Sequence, residues 1–206
     1  MRDLPPLREV IESHGLRTKK SLGQHFLLDR NLTDRIARNA NVDGAVVVEV
    51  GAGPGGLTRS LLAQNVYQLI AIEKDQNCVA ALRSLKAFYK DRLEIIEGDA
   101  MTINLKDLSS APVRIVSNLP YNISTPLLIN WLQQVRCISS MTLMFQKEVA
   151  DRIMAMPSTK AYGRLSVMTQ WLCETHHLFN VDKKAFFPPP NVMSSVISLR
   201  TRPKPL

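Results

Sequence analysis

Short β-branched runs alternate along this chain with stretches whose apolar positions recur at helical spacing. "AVVVEV" (45–50) is nearly continuous, the pattern of a strand buried on both faces of a parallel sheet. Further strands are predicted at "QLIAIE" (68–73), "LEIIEG" (93–98), "VRIVSN" (113–118) and "MTLMFQ" (141–146). Helical patterns fill the intervals. A short one runs from Leu7 to Ser13, and another is capped by Asp29 and places Leu32, Ile36 and Ala40 on one face. Others begin near Gly56 and cover Gln76 to about Tyr89, Asn122 to Val135, Lys147 to Met154 and Gly163 to Cys173. Strands alternating with helices predict a doubly wound α/β layer structure. At the end of the chain "THHLFNV" and "VMSSVISLR" flank the proline-rich "FFPPPN", which predicts a final antiparallel pair joined by a stiff loop.

Length and composition narrow the class. A chain of 206 residues can bury roughly 70% of its unfolded surface, so residues 1–206 are expected to form one domain. Hydrophobic residues at 45% and charged residues at 21% argue against widespread disorder. There is no N-terminal apolar signal core, and the uncharged stretch 115–135 is broken by prolines and amides, so a cytoplasmic protein without a membrane segment is expected. Cys78, Cys137 and Cys173 are odd in number and far apart, which writes neither a disulfide framework nor a zinc site. The adjacent His176 and His177 would alternate faces in a strand, giving one core histidine and no metal pair. No metal is therefore expected; the protein is separately expected to be a monomer.

Charge changes the picture more. There are 26 Lys and Arg against 18 Asp and Glu, a net of +8 that attracts polyanions and makes nucleic acid the leading partner class. Arg2, Arg8, Arg17, Lys19 and Lys20 give residues 1–20 the look of an exposed basic arm. Such an excess also serves solubility, so a site has to decide.

"GAGPGG" (51–56) follows the first long strand. Glycines there let the backbone approach a ligand and free the following helix N-terminus to face it. Gly51, Gly53 and Gly56 fit a dinucleotide loop, while Gly51, Gly53 and Gly55 equally fit a tighter turn. Glu73 ends the next strand 20 residues beyond Gly53, where a carboxylate can hold a ribose, which narrows the ligand to a nucleoside-containing cofactor. Asp99 ends the third strand on the same edge and can accept from an adenine amino group. In "SNLPYNIS" (117–124) the Leu119-Pro120 step stops a strand and holds its exit extended. Two acceptors, the Asn118 side chain and the carbonyl of Leu119 or Pro120, can then bind the N–H groups of an aromatic amine and free its lone pair. Tyr121 offers a face for the base.

Taken together, "KKSLGQHFLLD" (19–29), "EVGAGPGGLT" (49–58), "IEKD", "EGDA", "NLPYNIS", "YGRLSV" (162–167) and "FFPPPNVMSSV" resemble the ribosomal RNA adenine dimethyltransferase family from about Lys19 to Leu199. The resemblance implies a Rossmann-like methyltransferase with a seven-stranded, mainly parallel sheet. It implies S-adenosylmethionine as methyl donor and adjacent adenines near the 3′ end of small-subunit ribosomal RNA as acceptors. His25, Leu27, Gly51, Gly53, Glu73, Asp99, Ala100 and Asn118 would line the cofactor pocket. Asn118, Leu119, Pro120 and Tyr121 would hold the target base, with Phe186 rather than its neighbour Phe187 packing on the opposite face. RNA backbone contacts are expected from Lys19, Lys20, Lys147, Arg152, Lys160 and Arg164. Members of the family usually continue into a small helical domain after the last strand; this sequence stops at "RTRPKPL", and that domain is expected to be absent. Competing readings are a large-subunit adenine methyltransferase of the macrolide-resistance type, an NAD-dependent oxidoreductase, and an RNA-binding factor without chemistry.

Overall fold

The computed structural model describes residues 4–19 and 23–206; the expected RNA contact Lys20 lies outside them, as does Arg2. In chain order the main elements are α1 (Leu7–Ser13), β1 (Phe26–Leu27), α2 (Arg30–Asn39), β2 (Val46–Val50), α3 (Gly56–Leu62), β3 (Gln68–Glu73), α4 (Gln76–Tyr89) and β4 (Leu93–Glu97). These are followed by β5 (Val113–Asn118), α5 (Tyr121–Gln133), β6 (Ile138–Gln146), α6 (Lys147–Ile153), α7 (Arg164–Leu172), β7 (Cys173–Val181), β8 (Phe186–Phe187) and β9 (Ser194–Thr201).

Seven strands make one sheet in the order β4-β3-β2-β5-β6-β9-β7. The first five pair in parallel, while β9 enters antiparallel between β6 and β7. The predicted α/β sheet with a C-terminal antiparallel hairpin is thus the observed fold. Side chains alternate across each strand, so the apolar runs feed two cores. Val47, Leu69, Ala71 and Val116 pack with α2, α3 and α4 on one face. Val48, Val50, Ile70, Ile115 and Leu143 pack with α5, α6 and α7 on the other.

Some expectations need correcting. Residues 1–20 were read as an exposed arm, but α1 is amphipathic. Val10 and Leu16 are buried against Phe26, Cys78 and Ala81, and only the charged side, with Arg8 and Arg17, faces solvent. His176 and His177 are both exposed, not one in and one out. They pair in regular succession, His176 with Ser198 and His177 with Ile197, and so do take opposite faces, but β7 is the edge strand of the sheet and both faces are open to solvent there; the register slips only after His177, at Leu178. A two-stranded ladder was also missed. β1 and β8 pair antiparallel, joining Phe26 to Phe187 and Leu27 to Phe186. Runs of two residues carry no periodicity from which to predict them.

Candidate active site

The parallel strands deliver their carboxyl ends to one edge, where ligands bind in sheets of this kind. A cleft with about 220 Å³ of water-accessible space opens there. Eleven of the expected site residues line it: His25, Leu27, Gly51, Gly53, Glu73, Asp99, Ala100, Asn118, Leu119, Pro120 and Tyr121. Phe186 does not line it, although its ring meets His25 edge-on at 6.4 Å between centroids. The aromatic wall between them continues to Tyr121, 5.4 Å from His25.

The glycine loop turns tightly because its backbone leaves the ordinary region. Gly51 and Gly53 sit at φ +69° and +57°. A Cβ on Gly51 would also stand 3.1 Å from Pro120 Cδ, so loop and "NLPY" segment fit only without a side chain. The Gly53 N–H donates to Glu73 Oε2 at 2.8 Å, which ties the loop to the end of β3. Glu73 Oε1 accepts from the backbone N–H groups of Lys74 and Asp75, both at 2.8 Å. Burial pushes the Glu73 carboxyl up, and these three N–H donors oppose that shift. Oε2 keeps acceptor capacity for a ligand hydroxyl.

Asp99 caps a short turn, its Oδ1 accepting from Met101 N–H at 3.0 Å while Lys74 Nζ meets Oδ2 at 2.8 Å. The Lys74 contact, then the Met101 N–H, hold its carboxyl below the usual range, so it stays an acceptor. Ala100 follows, buried beneath the cleft.

Asn118 ends β5. Its Nδ2 donates to the carbonyl of His25 at 3.1 Å, which fixes the amide and leaves Oδ1 as its ligand-facing acceptor. Pro120, at φ −57° and ψ 125°, is extended as predicted and caps α5, which begins at Tyr121, one residue earlier than the pattern suggested. The Pro120 carbonyl already accepts from Ile123 N–H at 3.1 Å, so Leu119 offers the freer of the two carbonyls considered. Tyr121 is fixed at its hydroxyl, 2.6 Å from Ser194 Oγ. Burial pushes that phenol up, and the Ser194 contact opposes the shift. His25 Nδ1 lies 2.7 Å from the Pro188 carbonyl; a carbonyl only accepts, so Nδ1 carries hydrogen and Nε2 is the acceptor of the neutral ring.

Two features at or behind the cleft went unread in the sequence. Glu49, on the cleft side of β2, is buried with Thr58 Oγ1 donating to its Oε2 at 2.6 Å; burial pushes its carboxyl up to about 8. A charge in an otherwise apolar run was the available signal. Asp75 clasps the segment before β1, accepting from Lys19 Nζ at 2.9 Å and Gln24 Nε2 at 3.1 Å. Its burial would raise its carboxyl, but these donors and Asn77 N–H hold it low. Lys19 is thereby committed to an internal pair rather than free for RNA. Lys147 likewise pairs with Asp151 at 2.7 Å. Arg152 and Arg164 share a separate groove between α5, α6 and α7, while Lys160 is exposed in the preceding loop. Among the described residues no group of three or more His, Cys, Asp or Glu could hold a metal ion, and no helix is long and apolar enough to cross a membrane.

Similarity to solved structures gives the class first: a Rossmann-like RNA methyltransferase. A dimethyladenosine transferase from Plasmodium falciparum superposes with a TM-score of 0.77 at 30% identity, over 86% of this chain and 64% of that one. The 23S rRNA methyltransferase ErmE gives 0.77 at 31% identity, over 88% and 71%. The profile of the ribosomal RNA adenine dimethylase family matches residues 15–206, and the chain belongs to that family. Ribosomal RNA small subunit methyltransferase A of Rhodospirillum rubrum is 54% identical over 98% of this chain and 71% of its own length. The protein of the same name from Azorhizobium caulinodans is 56% identical over 99% and 72%.

Proposed function

We propose that this chain transfers methyl groups from S-adenosylmethionine to the exocyclic amines of adjacent adenines near the 3′ end of small-subunit ribosomal RNA, two per adenine. The reading includes action as a monomer in the cytoplasm. The observation that carries it is the fixed Asn118 amide, anchored by the His25 carbonyl in the cleft that also holds Glu73 and Asp99.

The cofactor fits the residues present. Glu73 is 6% exposed and keeps an acceptor on Oε2 for a ribose hydroxyl, Asp99 offers a carboxylate to an adenine amine, and Gly51 and Gly53 of the glycine loop line the same cleft. When bound, the sulfonium supplies a methyl already activated for displacement. The chain's own residues then have a positioning task, which can contribute about 7–11 kcal/mol. Asn118 Oδ1 and the Leu119 carbonyl accept the amine's two N–H groups, so its lone pair is directed outward. Tyr121 holds the base plane. The methyl would come from the donor's sulfonium, and these residues need only hold the amine in line with it; its proton would leave to water after transfer, so no strong base is needed. Extracting the base costs a few kcal/mol, which stacking on Tyr121 offsets; Phe186, buried and outside the cleft lining, backs the His25 ring instead of meeting the base. Arg152, Lys160 and Arg164 hold phosphates nearby.

The 52–56% identity to proteins named for the small subunit favours that substrate over the large-subunit RNA of ErmE, at 31%. The test is Asn118→Ala assayed on unmodified small subunits. A loss of at least 10²-fold in methyl transfer, with calorimetric cofactor affinity held within a few-fold, is expected; undiminished turnover sinks the proposal.

A further inference from the structure

β8 carries two phenylalanines on opposite faces. Phe186 is 4% exposed, packed in the core, whereas Phe187 is 57% exposed. Its backbone is nonetheless held on both sides. It pairs with Phe26 across the small ladder, and the next residue, Pro188, accepts from His25 on the cleft wall. A ring presented on a fixed backbone loses little freedom on meeting a flat partner.

The location is informative. β7 ends at Val181 and β9 begins at Ser194, so residues 182–193 lie on the edge where the cleft opens, and Ser194 itself holds the Tyr121 hydroxyl. Around Phe187 the loop exposes Val192 and Met193 at 45% and 42%. Lys183 and Lys184 are exposed in the turn that precedes β8, and among the described residues neither is in an ion pair. A rigid aromatic face beside paired cations is the chemistry that recognises an unpaired nucleobase and its phosphates. An acidic or apolar protein surface would use one half of this patch and waste the other.

We propose that Phe187 stacks on a base flanking the target adenines, with Lys183 and Lys184 holding the adjoining phosphates. The inference rests on the RNA methyltransferase reading and adds a binding element outside the cleft. Lifting an adenine from its stack leaves its neighbour without a partner on one side. Phe187 replaces that partner and so holds the strand in its opened form.

The experiment uses two short hairpin RNAs carrying both target adenines, with 2-aminopurine at the flanking nucleotide on one side or the other. Wild-type protein is expected to quench one of the two. Phe187→Ala should abolish that quenching and raise KM for RNA about tenfold, the effect of losing one stacked base, with kcat and S-adenosylmethionine affinity within twofold. Phe187→Trp should restore both. Lys183→Ala with Lys184→Ala should raise KM and flatten its salt dependence. Unchanged KM and quenching in Phe187→Ala overturn the proposal, as does a parallel loss of cofactor affinity, which marks a structural role. If wild-type protein methylates neither RNA nor small subunits, it is the broader reading that fails.

Discussion

Glu49 is buried in the cleft wall, 2% exposed. Its carboxyl, ordinarily near 4.5, is pushed up to about 8 chiefly by burial. The folded state therefore holds the proton more tightly than the unfolded chain does. The associated stability is fully present below about 4.5 and is lost as pH rises through about 8. Glu49→Gln, which can still accept from Thr58, is expected to lose less melting temperature between pH 5 and 9 than the wild type; equal slopes in thermal melts refute this. Tyr121 separates ring from hydroxyl. Tyr121→Phe breaks the bond to Ser194 at a cost of about 1 kcal/mol and should keep methyl transfer within a few-fold. Tyr121→Ala removes the stacking face and should lower transfer at least tenfold, as read by labelled-methyl incorporation.

The segment before β1 and the start of α4 act together. Asp75 caps α4 through Asn77 N–H and also receives Lys19 and Gln24, so one buried carboxylate joins a helix cap to the cleft wall. Asp75→Asn is expected to cost about 1–2 kcal/mol of stability, since the Lys19 partner is half exposed and screened. Because Gly23, Gln24 and His25 line the cleft, cofactor affinity should fall in the same variant, measured by calorimetry. The carboxyl is held low, so the wild-type advantage should be present near neutrality and vanish as pH falls through the acidic range.

For the chain taken entire, cofactor binding and charge make separate predictions. S-adenosylmethionine at 100 times its Kd should stabilise the fold by about 2.7 kcal/mol and raise the melting temperature by several degrees, while NAD should not. The net charge of +8 predicts RNA affinity that falls linearly on a log-log salt plot. Replacing Arg152 and Arg164 with alanine should reduce the slope by about 1–2, at roughly 0.7 per phosphate lost. An unchanged slope removes that groove from the RNA path.

Much of this was written locally. Short apolar runs bounded by turn residues form strands once a sheet can bury both their faces, glycine and proline chemistry is set by their own backbones, and polar side chains at strand ends must arrive at one sheet edge once the strands are parallel. Those three facts sufficed for the sheet, the glycine loop and the alignment of Glu73, Asp99 and Asn118. What the sequence left open depends on residues far apart in the chain. Lys19 looks like a free cation until Asp75, 56 positions away, is folded beneath it. His25 gains its orientation from Pro188, 163 positions away. Which of two adjacent phenylalanines is buried and which meets solvent was decided by a two-residue ladder too short to leave a pattern, because burial belongs to the packed assembly and not to the residue.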